Sequence, residues 1–201
     1  AHDHRGHGKL AHQQGQAGLC PPQRGWQYMI EDMLKVNRHI KESHPGKPVF
    51  MLGHSMGSLL AINFAYLYGD FIDGLLLTGV ASPQPLFSRI GLVIAALQSR
   101  FKGIHVPSQL LHNMLFGGYN KHFMPARTDY DWLSTNTEAV DNYIADPHCG
   151  IVFCTKFFYD LARATLDIYK VSNLEKIPKT LPLLLMAGSQ DAVGHMTKGV
   201  E

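Results

Sequence analysis

Pro48-Val49-Phe50-Met51-Leu52-Gly53-His54-Ser55-Met56-Gly57-Ser58-Leu59-Leu60-Ala61-Ile62-Asn63-Phe64-Ala65 is the stretch that decides the fold. Its centre, Gly53 to Gly57, has the pattern G-x-S-x-G. The apolar run Val49–Leu52 precedes it and a helix-forming run, Leu59–Ala65, follows. A strand, a tight turn and a helix in that order make a nucleophile elbow. The turn forces the serine into a strained backbone and leaves its hydroxyl above the strand. Gly53 and Gly57 are expected to lack side chains because strand and helix approach closely there. A bare G-x-S-x-G could be a plain structural turn. The strand before it and the helix after it point to Ser55 as a nucleophile.

Outward from the elbow, Met29, Met33, Val36 and Ile40 recur at helical spacing and predict a helix from near Trp26 to near Ser43. Pro45-Gly46 stops it. Residues 1–25, rich in Gly, His and Gln, read as loop. The helix after Ser55 runs to a cap at Gly69 and is apolar on most sides, as a buried helix is. Gly74–Thr78 is the next strand. Strand, helix and strand at this spacing give a βαβ unit and a parallel sheet. Alternation stops over residues 82–165, which read as an inserted helical cap. Pro182–Met186 resumes the sheet. Leu75–Leu77 and Leu183–Leu185 read as buried strands. The expected organisation is an α/β core over 1–81, a cap over 82–165 and a return to the core over 166–201. In the cap, the stripe Leu86, Ile90, Val93-Ile94 and Leu97 reads as core or as ligand wall.

A serine hydroxyl needs a base within hydrogen-bond reach, and the base needs an orienting carboxylate. With this elbow the partners follow as Ser, Asp or Glu, then His. Asp191 leaves the carboxyl end of the late strand, where open α/β sheets place their ligands, and is the expected acid. Its bland alternative is a turn cap. His195 is the one histidine beyond it and sits in the same loop, too near to serve as base. The base is expected beyond Glu201. The backbone N–H of Met56 is the expected oxyanion donor, aided by the helix N-terminus. A second donor belongs to a loop after an earlier strand.

The 201 residues carry a net charge of +2 with scattered basic residues, which makes no case for nucleic acid. No apolar run is long enough to span a membrane. Cys20, Cys149 and Cys154 read as reduced thiols in a reducing compartment, hence a cytoplasmic expectation. His2-x-His4-x-x-His7 has a metal-like look, but Gly6 stands where such a site wants an acid, and no metal is expected. The chain opens Ala1-His2 without methionine and closes Lys198-Gly199-Val200-Glu201 after a strand and loop, so both ends read as cuts in a longer chain.

The motifs resemble those of α/β-hydrolases of the lysophospholipase and monoacylglycerol lipase type. Asp3-His4-Arg5-Gly6-His7-Gly8 resembles the loop after their fourth strand. Pro48 to Ser58 resembles their elbow, and Leu183 to Asp191 their acid strand. Within the cap, Tyr119-Asn120-Lys121, Arg127-Thr128, Asp131-Trp132-Leu133 and Asp146-Pro147-His148-Cys149-Gly150 resemble the bacterial lysophospholipase-like branch. Leu10 stands where a small polar residue is common, and Ala192 where proline often follows the acid. The resemblance implies an α/β-hydrolase fold truncated at both ends. It further implies a cofactor-free serine esterase acting on a monoacyl lipid ester, with transient contact to a membrane or micelle surface. A non-catalytic protein of the same fold, or peptidase or thioesterase chemistry on the same elbow, stays open beside it.

Overall fold

The computed structural model describes residues 2–196. Ala1 and residues 197–201, including the segment read as a cut end, lie outside the described residues. Contacts divide the chain into two compact units. One takes the residues up to Gly25 together with Arg89–Ala162, and the other takes Trp26–Ser88 and the described residues from Arg163 onward.

The second unit carries the sheet. Among the described residues it has three parallel strands in the order β1-β2-β3: β1 is Phe50–His54, β2 Gly74–Thr78 and β3 Leu183–Met186. Met51 and Gly53 pair with Leu75 and Leu77, which pair in turn with Leu183 and Leu185. The helix after the elbow, α3 (Met56–Tyr68), crosses from β1 to β2 and packs on that face. Its residues Ser58–Ala65 are all buried, as the all-round apolar pattern predicts. Leu60, Phe64, Leu75 and Leu77 are almost fully enclosed. Each such side chain contributes about 1.5–3 kcal/mol.

β3 is an edge strand, and its side chains are exposed. The reading of Leu183–Leu185 as a buried strand is therefore corrected: an apolar run specifies the strand, but β2 flanks one edge only and leaves its faces open among the described residues. Phe50 and Leu52 on β1 are exposed for the same reason.

The long helix α2 (Gly25–Ser43) forms where expected. Its buried face is Trp26, Met29-Ile30, Met33-Leu34 and Asn37, whereas Ile40 is exposed. The expected stripe through Val36 and Ile40 lies one position off, because the buried Trp26 anchors the register by donating Nε1–H to Asn63 Oδ1 of α3 at 2.8 Å. At the other end of α3, Gly69 keeps a right-handed backbone rather than forming a left-handed cap. It is glycine because a Cβ there would stand 2.4 Å from Pro178.

The first unit is helical. The segment expected as loop contains α1 (Gly8–Gln13). Lys9-Leu10-Ala11 are good helix formers, and Ala11 is buried. Helix α4 (Pro85–Lys102) begins in the second unit and continues into the first. Then come α5 (Gln109–Phe116), α6 (Thr137–Ala145) and α7 (Thr155–Ile168), which returns the chain to the second unit, where α8 (Val171–Leu174) precedes β3. Among the described residues of 82–165 the only strand pairing is the isolated bridge Pro107–Cys154.

The stripe on α4 is not core. Leu86, Ile90, Val93 and Leu97 are all exposed, and Phe101 extends the row. The helix buries Ala95 instead, a small residue that admits close packing. No helix among the described residues is long and apolar enough to cross a membrane.

Candidate active site

Ser55 ends the turn between β1 and α3 with φ 52° and ψ −121°. A non-glycine residue rarely adopts this backbone, and it persists only where the surroundings over-determine it. Three bonds do so. Ser55 N–H donates to the Thr78 carbonyl at 3.0 Å, locking the turn to the end of β2. The Ser55 carbonyl accepts from Ser58 N–H at 2.9 Å and from Ser58 Oγ at 2.6 Å. Ser58 is fully buried. The Ser55 side chain remains exposed.

Close approach accounts for one flanking glycine. A Cβ on Gly53 would meet the Gly57 carbonyl oxygen at 2.5 Å and the Ala61 methyl at 2.9 Å. On Gly57 a Cβ would meet nothing within 4 Å outside its own helix turn. The expectation that both glycines serve close approach is corrected for Gly57, which lies on the open side of α3.

Met56 is the first residue of α3. N–H groups in a helix's first turn have no intrahelical acceptor and carry partial positive charge. An anion beside Ser55 would meet that charge.

Asp191 follows β3 at the same end of the sheet, with β2 between it and Ser55. Two strand spacings correspond to roughly 10 Å. Its Oδ1 accepts from Val193 N–H at 2.8 Å, so this carboxylate does cap its own turn. Oδ2 points elsewhere: a Cβ built on Gly79 or on Gly194 would stand 3.7 Å from it. Gly79 has φ +56°, and its Cβ would also fall 2.9 Å from His54 Cε1. The His54 ring is held by Nδ1, 2.6 Å from Thr78 Oγ1. Gly79 thus marks the point where the His54 ring and the Asp191 carboxylate approach.

His195 is exposed, and Gln84 occupies its Nε2 at 2.5 Å. Thr78, Gly79, Gln84 and Ser58 escaped the sequence reading of the site. A buried serine three residues after the nucleophile and a glycine directly after β2 were the available signals.

The three cysteines are free. Burial, reinforced by the neighbouring Asp160 carboxylate, pushes the Cys20 thiol up to about 12, which keeps it protonated and unreactive. Among the described residues no three His, Cys, Asp or Glu side chains gather to hold a metal ion. His7 of the metal-like run instead donates Nδ1–H to the Arg5 carbonyl at 2.9 Å and packs on Phe153.

The cap motifs pin one another. Asn120 donates to the Thr128 carbonyl at 2.7 Å and accepts from Trp132 N–H at 2.9 Å. Asp131 accepts from Thr128 N–H, Thr128 Oγ1 and Arg127 N–H. The Thr128 hydroxyl is the leading cause that holds the Asp131 carboxyl below its usual range. Arg127 reaches Asp141 at 2.7 Å. Asp146 Oδ1 receives both His148 N–H and its ring Nδ1 at 2.8 Å. These polar residues staple loops.

Comparison with known proteins agrees with this geometry. Residues 1–201 match the Hydrolase_4 family, described as serine aminopeptidase S33. The chain is 31% identical over 199 residues to monoglyceride lipase of Rattus norvegicus, covering 95% of this chain and 55% of that protein. It is 25% identical over 194 residues to monoacylglycerol lipase of Mycolicibacterium smegmatis, covering 94% and 58%. A thermostable carboxyl esterase from Bacillus coagulans, solved with glycerol, superposes with a TM-score of 0.89 at 28% identity, over 98% of this chain and 64% of the esterase. The chain thus spans little more than half the length of the curated relatives it matches. The strained serine between β1 and α3, the parallel sheet and the family match over residues 1–201 together place this chain in the serine aminopeptidase S33 family of α/β-hydrolases.

Proposed function

We propose that the protein is a serine ester hydrolase acting on monoacyl lipids, either monoacylglycerol or lysophospholipid. The observation that carries the reading is the Ser55 backbone, strained at the end of β1 with the hydroxyl exposed. Ser55 Oγ attacks the ester carbonyl, and a histidine from beyond Glu201 takes its proton. Asp191 Oδ2 accepts that histidine's other N–H, fixing its tautomer and stabilising the imidazolium. The Met56 N–H helps hold the tetrahedral oxyanion. The histidine then protonates the leaving alcohol, and water releases the acyl group. The gap of two strand spacings between Ser55 and Asp191 accommodates an imidazole.

The lipid preference rests on the relatives' substrates as named and on the exposed apolar row of α4. Residues 82–165 act as the cap, and this row touches a membrane or micelle surface transiently. A second reading, peptidase action, is favoured by the family's description. Assaying the full-length protein on a monoacylglycerol, a lysophospholipid and an amino-acid p-nitroanilide decides between them. Turnover of the glyceride or the lysophospholipid well above the anilide is expected. Preference for the anilide would reverse the assignment.

A further inference from the structure

The Asp191 turn is not one that its own residues favour. His195 and Met196 are consecutive non-glycine residues in the left-handed region, with φ 51° and 55°. Such a backbone needs outside support. Within the turn, Asp191 N–H donates to the Gly188 carbonyl at 3.0 Å and Met196 N–H to the Asp191 carbonyl at 2.9 Å. The turn leaves β3, which among the described residues is an exposed edge strand paired only with β2. Further support among the described residues comes from the segment after β2. The Gln84 amide meets His195 Nε2, and Ser82 Oγ donates to the Gly194 carbonyl at 3.4 Å. A Cβ on Gly194 would stand 3.3 Å from the Val80 carbonyl oxygen. That segment is itself anchored, since Tyr169 OH donates to the Ala81 carbonyl at 2.6 Å.

We propose that Gln84 and His195 are positioning residues for the reaction. Their pair clamps the turn so that Asp191 presents Oδ2 to the base while Oδ1 stays committed to Val193. A triad member displaced by even an ångström loses much of its effect. The same pairing gives His195 a role other than proton transfer. The inference rests on Asp191 being the triad acid.

The test is a double-mutant cycle on kcat in the full-length protein, with thermal midpoint and KM measured alongside. Gln84→Ala and His195→Ala are each expected to lower kcat by roughly 3- to 30-fold with KM nearly unchanged. The double variant should lose no more than the larger single loss, because both changes break one pair. Gln84→Glu, whose carboxylate restores a bond of opposite direction by accepting from an Nε2–H of the imidazole, should recover most of the loss; it also serves as the readout if the alanine variants fold poorly. Unchanged kcat in both alanine variants, additive losses, or a Gln84→Glu variant as slow as Gln84→Ala would overturn the clamp, provided Asp191→Asn is strongly impaired. A nearly normal Asp191→Asn would instead overturn the acid assignment beneath it.

Discussion

A Cβ placed on Gly53 would stand 2.5 Å from the carbonyl oxygen of Gly57, the second residue of α3. The elbow is therefore asymmetric: strand and helix touch at the first glycine of the motif and not at the second. That contact is made by backbone, which cannot swing aside as a side chain could.

Alanine scanning at the two positions should separate them. Gly53→Ala forces β1 and α3 apart and is expected to cost about 2–3 kcal/mol of stability, with loss of activity. Gly57→Ala places a better helix former in open space and should be neutral or stabilising by about 0.5–1 kcal/mol. Denaturant melts of both variants check this. Equal destabilisation would show that Gly57 is also a contact point.

The Asp131 staple should melt with acid. Its carboxyl is held below the ordinary carboxylate range, first by the Thr128 hydroxyl and then by backbone N–H groups. A depressed folded pKa gives stability that is present above the unfolded value, near 3.9, and lost as pH falls through the folded one. Protection of the amides over residues 119–133, taken relative to the intrinsic exchange rate at each pH, should fall below about pH 4. Asp131→Asn should show similarly low protection already at neutral pH. Identical protection in wild type and variant at pH 7 would remove the staple's role.

The apolar row of α4 gives a test of substrate class. Leu86→Gln, Val93→Gln and Leu97→Gln combined should raise apparent KM for micellar monoacylglycerol by about tenfold or more, since each lost apolar contact weakens surface binding. Turnover of a short soluble p-nitrophenyl ester should stay within about twofold. Equal effects on both substrates would mean that the row serves folding or the reaction rather than the lipid surface.

Much of this molecule was legible in its sequence. The three strands, α2, α3 and the elbow follow from apolar runs and punctuating Gly and Pro, since local pattern dictates them. Burial was less legible. Leu183–Leu185 read as buried and the stripe Leu86, Ile90, Val93-Ile94 and Leu97 as core or ligand wall, yet Leu183–Leu185, Leu86, Ile90, Val93 and Leu97 are exposed, because an apolar run records what a surface needs, not whether a neighbour covers it. The face of α2 shifted because one long-range bond, Trp26 to Asn63, sets its rotation. Within the site, Ser55 and Asp191 carry motif signals. Thr78, Gly79 and Gln84 do not: their roles depend on β2 lying between β1 and β3, a relation that spacing along the chain does not encode.

Ser55 as nucleophile underlies every role assigned to its neighbours. The most direct measurement is covalent labelling of the full-length protein with a fluorophosphonate, with the modified residue located by peptide mass spectrometry. One adduct is expected, on the peptide containing Ser55. Ser55→Ala should show no labelling, and its esterase turnover should fall by about 10⁴ or more. An adduct on another serine, with Ser55→Ala retaining wild-type turnover, would contradict the assignment.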